Sequence, residues 1–116
     1  MSDNTTTIAE LRSLVREFVD ERNWQQFHTP KNLAMSISIE AAELMELFQW
    51  TDLQESSDRS ATEPLRTRLA EELADVVCYT LSLANATGLD ISEAVHSKMR
   101  KNRAKYPKDK FHSRFE

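Results

Sequence analysis

A near absence of glycine is the feature that most restricts the fold of this chain. Gly88 is the only glycine among 116 residues, and no run of β-branched residues alternates with polar ones. Tight hairpins commonly need glycine where φ is positive, so a hairpin-built sheet is disfavoured. Apolar residues instead recur three and four positions apart, which is typical of amphipathic helices. The sequence therefore predicts a single all-α domain.

Four helices are predicted, and capping residues mark their starts. Thr7 and Glu10 have the spacing of a capping box, and Asp90 is expected to cap the last helix. Thr29 precedes a proline, which is favoured at the first helical position. Gly88 is expected to end the third helix in a left-handed conformation. The predicted helices cover about residues 8 to 22, 30 to 48, 63 to 86 and 91 to 106.

Two segments lie outside these helices. Residues 51 to 61 are polar and are predicted to form a loop. Ser60 and Glu63, at its end, have capping-box spacing and would start the third helix. Residues 108 to 116 show no clear period and are predicted to form a tail that is flexible or packed on a partner. The remaining 1 to 107 would form the functional domain.

The third helix carries apolar residues on more than one face. Such a wide apolar surface is typical of a helix that contacts several others, including those of another subunit. We therefore expect a protomer that resembles a four-helix bundle and forms homo-oligomers. The apolar residues are Leu69, Leu73, Val76, Val77, Leu81 and Ala84.

Two acidic pairs lie inside otherwise apolar helical stretches: Glu40 with Glu43, and Glu72 with Asp75. Residues three apart share a helix face, so the four carboxylates converge if the two faces meet. Two charges ~4 Å apart repel by ~4 kcal/mol at an effective dielectric near 20. A cation would relieve this repulsion, and oxygen ligands suit Mg²⁺ or Mn²⁺. The ordinary alternative is a solvated charged face.

A di-iron carboxylate site is the competing metal hypothesis. It needs a Glu-x-x-His pair on each of two helices. Glu93 and His96 form one such pair, and the sequence contains no second one. Glu93 also fits as a partner of the capping residue Asp90, so the sequence disfavours a di-iron site.

The charge distribution excludes some classes of protein. The net charge of −4 does not indicate a nucleic-acid binder, although residues 98 to 116 carry +6 and residues 1 to 97 carry −10. An acidic body with a basic end suits a metal together with an anionic ligand. Cys78, the only cysteine, excludes a disulfide framework and is expected to fill the core. No secretory signal or membrane-spanning run is visible, which indicates a cytoplasmic protein.

Several donors on the last helix could bind phosphate. Lys98 and Asn102 are four residues apart and share a face, and Arg103 is adjacent. These side chains suit phosphate oxygens, although a solvated amphipathic helix would contain them equally well.

Aromatic side chains could contact a planar ligand. Trp24 and Trp50 lie at helix ends among polar residues, where they would form an aromatic platform or simply pack at a corner. Tyr79 follows Asp75 by one helical turn, so its hydroxyl could order a ligand or support a carboxylate. His28 lies in a loop, where most histidines have no functional contact.

Taken together, these residues resemble the MazG-related all-α nucleoside triphosphate pyrophosphohydrolases, especially their dCTP pyrophosphatase branch. The resemblance covers roughly half the chain, in the family's order. Its most specific parts are FQW after the first acidic pair and the pattern KxxxNRxxYP. The matching segments are ERNWQQFHTPKNLAMSISIEAAELMELFQW (21 to 50), EELADVVCYTLSLA (71 to 84) and KMRKNRAKYP (98 to 107).

The resemblance implies a role for each candidate residue. Metal ligands would be Glu40, Glu43, Glu72 and Asp75, and phosphate contacts would come from Lys98, Asn102 and Arg103. Trp24 and Trp50 would contact the base, with His28 and Tyr79 near the base or sugar. It also implies dimers or tetramers whose sites draw on more than one subunit.

The implied reaction is Mg²⁺-dependent hydrolysis of a nucleoside triphosphate, with dCTP or a modified dCTP as the expected substrate. Water would attack the α-phosphorus and release pyrophosphate. Glu43 is the first choice to orient that water, and Glu40 and Glu72 are equal alternatives. Ile39 and Ala42 stand where the family often has glycine, which leaves the ligands intact but can signal another preferred base. Phosphoribosyl-ATP pyrophosphohydrolase and a non-catalytic helical adaptor are the alternative functions.

Overall fold

The structure, a computed structural model, describes residues 1 to 114. Within that range it is all-helical, which confirms the predicted fold class. A short 3₁₀ turn, Gln25–Phe27, separates the first two helices. No helix in this range has the length and apolar character needed to cross a bilayer. The α-helices are α1 (Ile8–Glu21), α2 (Pro30–Glu46), α3 (Leu53–Ser60), α4 (Leu65–Thr87), α5 (Ile91–Lys105) and α6 (Lys108–Phe111).

Helix α4 is the centre of the fold, because α1, α2 and α3 all pack against it. The contact between α4 and α2 is the most extensive one. Leu33 of α2 and Leu81 and Ala84 of α4 are almost fully buried, and Val19 of α1 joins them. Full burial of a leucine or valine side chain contributes roughly 1.5–3 kcal/mol. This small apolar core fixes the positions of the three helices that carry the candidate site.

Hydrogen bonds tie α1 to the end of α4. Arg12 Nε donates to Asn85 Oδ1 over 3.0 Å, and Asn85 Nδ2 donates to the Arg12 carbonyl oxygen over 3.1 Å. Arg12 Nη1 also donates to the Leu89 carbonyl oxygen over 2.7 Å, just beyond α4. Because a charged donor strengthens such bonds, they fix the position of α1 along α4.

Three of the predicted helix ends agree closely with the structure: the starts of α1 and α5 and the end of α4. Thr7 Oγ1 accepts from the Glu10 amide over 3.1 Å, and Asp90 Oδ1 accepts from the Glu93 amide over 2.8 Å. Gly88 follows α4 with φ of 73°, the left-handed conformation that favours glycine. The local rules for caps are therefore sufficient to locate these ends.

The prediction of a loop over residues 51 to 61 is wrong, because residues 53 to 60 form α3. Asp52 caps this helix by accepting from the Glu55 amide over 2.8 Å, and Gln54 donates to Asp58 one turn later over 3.1 Å. The helix is mostly polar because most of its surface faces solvent. It therefore lacks the apolar stripe on which recognition of a helix from sequence depends.

The predicted capping box at the start of α4 is also wrong. Ser60 belongs to α3, and its hydroxyl donates to the Ser57 carbonyl oxygen over 2.9 Å. The residue before α4 is Pro64, which provides no side-chain cap. Glu63 instead accepts from the Thr67 amide over 3.3 Å. Because α3 occupies residues 53 to 60 of the predicted loop, α4 starts later than predicted, at Leu65.

Helix α6 lies within the predicted C-terminal tail. The ring of its Phe111 meets the ring of Tyr106 edge to face, with centroids 5.2 Å apart. The last two residues of that predicted tail, 115 and 116, lie outside the described residues.

The folded protomer has an open shape. Its radius of gyration is 17.1 Å, whereas a compact domain of 100 residues has about 13 Å. Its accessible surface is 9313 Å², against roughly 6,500 Å² for a typical monomer of this mass. Helix α5 packs only sparsely against the rest of the chain. Apolar side chains on α2 and α4 are accordingly two-fifths exposed or more: Met35, Ile39, Met45, Leu73 and Val77.

Candidate functional site

The packing of α2 on α4 brings acidic residues from both helices together. One carboxylate oxygen from each of Glu40, Glu43 and Glu72 lies within 4.8 Å of the others. Asp75, the fourth residue predicted from spacing, is not part of this group of three. Its charge nevertheless contributes to the raised pKa values of Glu40 and Glu72, so it lies in the same electrostatic environment.

Burial and mutual repulsion raise the free energy of this cluster when all of its carboxylates are ionised. The pKa of Glu40 rises from 4.5 to about 7, first because of burial, then because of the adjacent Glu43 carboxyl group and the charges of Asp75 and Glu72. The pKa of Glu72 is also raised, by burial and then by Glu43, Asp75 and Glu71. Neighbouring acids with raised pKa values, such as Glu40 and Glu72, are typical of a functional site.

Two oxygens of the cluster also lack any hydrogen-bond partner. Oε2 of Glu40 and Oε2 of Glu72 are sealed from solvent, and no donor reaches either among residues 1 to 114. Leaving a buried acceptor unpaired costs about 1–3 kcal/mol, and more if it is charged. Hard divalent cations such as Mg²⁺ and Mn²⁺ prefer carboxylate oxygens. The donor set therefore fits a divalent cation.

A cleft of about 380 Å³ lies between α1 and α4 and reaches Asp75. Four of the residues predicted from the sequence line it: Trp24, His28, Asp75 and Tyr79. We call it the aromatic cleft. It also contains residues that the sequence did not single out for function, namely Leu14, Val15, Phe18, Val19, Cys78 and Ser82.

The aromatic rings of this cleft are arranged in two contacts. Trp24 meets Phe18 edge to face, with ring centroids 5.7 Å apart. His28 and Tyr79 are tilted against each other, with centroids 6.5 Å apart. Burial and the charges of Glu40 and Asp75 raise the pKa of Tyr79, which keeps its hydroxyl protonated. The cleft thus offers apolar, aromatic walls close to acidic residues. Such walls suit the planar ring of a ligand, and a cation held by the acids would suit an anionic group on the same ligand.

The expectation that Cys78 fills the core is wrong. Its thiol is free and exposed, and it lines the aromatic cleft. Burial, and then the charge of Asp75, raises the pKa of this thiol. Its sequence neighbours Val76 and Val77 are apolar, but the turn of the helix directs adjacent residues to different sides.

Four other predicted residues do not line the aromatic cleft within one protomer. Trp50 lies beyond the end of α2 and is 89% exposed, outside the aromatic cleft. Lys98, Asn102 and Arg103 lie on α5, which is sparsely packed. The side-chain amide of Asn102 donates to Met99 Sδ on the same helix, over 3.8 Å.

Comparison with known proteins gives consistent results. A sequence model of the MazG-like family matches residues 35–115. Proteins named dCTP pyrophosphatase 1 from Mus musculus and Homo sapiens are each 43% identical over 101 residues, which cover 87% of this chain and 59% of each relative. The one from Bos taurus is 41% identical. The chain thus spans about three-fifths of the length of the curated relatives it matches.

A solved structure is also similar along almost the whole chain. It is the crystal structure of a pyrophosphatase from Archaeoglobus fulgidus, which is 44% identical in sequence. The TM-score is 0.82, and the match covers 92% of this chain and 98% of the other.

The raised pKa of Glu40 predicts a pH-dependent stability for the metal-free protein. An acid with a folded-state pKa of about 7 instead of 4.5 holds its proton more tightly when folded. Its contribution to stability is therefore complete below the ordinary value and is lost as the pH rises through 7. In the presence of a chelator, the urea midpoint should fall between about pH 5 and about pH 8. The fall should be smaller in Glu40→Gln.

The matched control is Glu46→Gln, at the solvent-exposed end of the same helix, which should retain the wild-type fall. Equal falls in wild type and Glu40→Gln would contradict the assignment of this effect to Glu40.

Proposed function

Because this chain belongs to the MazG-like family, we propose that it is a divalent-metal-dependent nucleoside triphosphate pyrophosphohydrolase. Its substrate would be dCTP or a modified dCTP, and its products a nucleoside monophosphate and pyrophosphate. The observation that carries the proposal is the acidic cluster of Glu40, Glu43 and Glu72, whose electrostatic neighbour Asp75 lines the aromatic cleft. The names of the mammalian relatives and of the Archaeoglobus fulgidus pyrophosphatase support it.

Glu40, Glu43, Glu72 and Asp75 would hold Mg²⁺ or Mn²⁺. The unpaired buried oxygens of Glu40 and Glu72 support this assignment, since a cation would satisfy both. A bound divalent cation supplies charge neutralisation to the phosphate oxygens in the transition state. Because the cation held by the carboxylates would neutralise the phosphate oxygens, the site does not require a glycine-rich phosphate-binding loop.

Protein groups would carry the other steps. Glu43 would orient a water molecule and accept its proton as the water attacks the α-phosphorus, with Glu40 or Glu72 as alternatives. The bond between the α-phosphorus and the bridging oxygen breaks, and pyrophosphate leaves with that oxygen. Trp24 and its neighbours in the aromatic cleft would hold the base, with His28 and Tyr79 near the base or sugar.

We further propose that the working enzyme is a homodimer or homotetramer. Three findings support this: the open shape, the large accessible surface, and the exposed apolar residues on α2 and α4. Assembly would also explain why Trp50, Lys98, Asn102 and Arg103 stand away from the cleft in one protomer. Trp50 would reach the aromatic cleft of another subunit. Assembly would also fix the position of α5, so that its three residues contact the phosphates of a nucleotide bound either in their own subunit or in the neighbouring one.

Removal of a metal-binding carboxylate should abolish hydrolysis. In Glu72→Gln or Asp75→Asn, turnover of dCTP should fall at least about a hundredfold, since several kcal/mol of charge stabilisation is lost. The helical circular dichroism spectrum should persist. Wild-type turnover should require Mg²⁺ or Mn²⁺, and in ¹⁸O-labelled water the label should appear in the monophosphate.

Glu46→Gln serves as the matched control and should retain activity. Full activity in both active-site variants would refute the metal site, and release of inorganic phosphate with a diphosphate would refute attack at the α-phosphorus. Phosphoribosyl-ATP belongs in the same substrate panel, because its exclusive turnover would identify the alternative enzyme. Failure to bind any nucleotide with Mg²⁺ would favour the adaptor.

The two tryptophans can be tested separately, because each variant with one tryptophan replaced leaves a single fluorophore. dCTP with Mg²⁺ should quench Trp24 in Trp50→Phe and Trp50 in Trp24→Phe. Trp24→Ala should raise KM about tenfold with little change in kcat, because base stacking is typically worth 1–3 kcal/mol and is similar in the ground and transition states. A Trp50 signal that is unchanged at saturating nucleotide would remove Trp50 from the base site.

Assembly can be tested by light scattering. Wild type at micromolar concentration should give a mass of two or four times the 13.4 kDa protomer. Leu73→Glu or Val77→Glu should reduce the mass and lower stability, because each places a charge on the apolar surface of α4. The control is Gln54→Glu, on the polar surface of α3. A stable folded monomer in wild type would refute the proposed assembly.

A further inference from the structure

A second, polar cleft adjoins the aromatic cleft. It has a volume of about 330 Å³ and is lined by hydrogen-bonding side chains of α1, the 3₁₀ turn and α4. The two clefts share three residues, Val19, His28 and Ser82, which therefore form the boundary between them. The polar lining residues are Arg16, Asp20, Gln25, His28, Ser82 and Asn85.

Ser82 is an unusual member of this boundary. Only 7% of it is exposed, and it is the only buried polar residue among those described. No hydrogen bond of its hydroxyl is found within residues 1 to 114, and the hydroxyl is not among the solvent-sealed polar atoms that lack a partner there. By contrast, Thr80 and Thr87 of the same helix donate to the Val76 and Leu83 carbonyl oxygens, each over 2.8 Å. The Ser82 hydroxyl is thus left available to a ligand.

The position of Ser82 along α4 suits the far end of a nucleoside. Asp75, Tyr79 and Ser82 all line the aromatic cleft, so they follow one another along one side of the helix. At 1.5 Å per residue, Ser82 lies about 10 Å beyond Asp75 along the helix axis. A nucleoside whose α-phosphate is held near the acids would extend its base over a distance of this order.

We infer that Ser82 recognises the substrate through a hydrogen bond between its hydroxyl and the polar edge of the nucleobase. The inference rests on the proposed function. The faces of the base would lie against apolar and aromatic walls, which cannot satisfy the carbonyl and amino groups on its edge. Asp75 belongs to the metal site, and Tyr79 stands beside the acids. Of the other hydrogen-bonding groups in the cleft, the Cys78 thiol is a weak donor and the Trp24 indole can only donate. Ser82 and His28 are therefore left to pair with a base edge that carries both a donor and an acceptor.

The chemistry of a hydroxyl fits this role. It can donate one hydrogen bond and accept others, so it matches a base edge where a donor and an acceptor stand side by side. A site built to make such a bond discriminates against an analogue of the same shape that lacks polar groups. Ser82 would thus favour a polar pyrimidine over an apolar ring of equal size.

The test compares two substrates in wild type and Ser82→Ala. One is dCTP, and the other is the deoxynucleoside triphosphate of difluorotoluene, which has the shape of a pyrimidine without its hydrogen-bonding groups. With dCTP, Ser82→Ala should raise KM about threefold to tenfold, the effect of one neutral hydrogen bond, with kcat unchanged. With the apolar analogue, both constants should remain those of wild type.

The control is Thr80→Val, which removes a hydroxyl that is already bonded within α4 and should change neither substrate's constants. Calorimetry with α,β-methylene-dCTP gives a readout independent of turnover, and Ser82→Ala should weaken that binding by the same factor. An equal effect of Ser82→Ala on both substrates would show that it acts through packing and would overturn the inference. No effect on either substrate would also overturn it. If wild type neither binds nor hydrolyses any nucleotide, the proposed function itself fails.

Discussion

The packing of α2 against α4 is the interaction on which the site depends. Leu33 and Leu81 are almost fully buried between the helices, and each contributes roughly 1.5–3 kcal/mol. The same contact forces carboxylates together, and a single pair ~4 Å apart repels by ~4 kcal/mol at an effective dielectric near 20. The two effects are similar in size, so the apolar contact can hold an arrangement that electrostatics opposes. Retention of a proton near neutral pH lessens that repulsion in the metal-free protein.

Features set by local chemistry could be predicted from the sequence. Gly88 ends α4 because a left-handed residue is needed there, and Thr7 and Asp90 cap helices through bonds to residues three positions on. The convergence of Glu40 with Glu72 needed one further assumption, that the two acidic faces meet. The family resemblance supplied what the spacing alone left open. Helix α3 was missed because a helix that faces mostly solvent has no apolar period to reveal it.

Features set by several elements at once could not be predicted from the sequence. The aromatic cleft draws Phe18 from α1, Trp24 from the following turn and Tyr79 from α4, and no pattern within one segment connects them. Cys78 was misplaced because its apolar neighbours say little about which way a helical residue points. Nothing in the sequence singles out Ser82, because the role of a serine in an apolar helix depends on the cleft beside it.

Helix α4 carries Glu72, Asp75 and Tyr79 on one uninterrupted stretch of 23 residues. An insertion or deletion of one residue between them would rotate everything beyond it by about 100° around the helix axis, because one turn takes 3.6 residues. The acid and the cleft residues would then face different sides of α4. The number of residues in this stretch is consequently under strict constraint, in addition to the constraint on the identity of the acids. Divergence of the cleft must proceed by replacement of side chains, while changes of chain length are confined to the connections on either side.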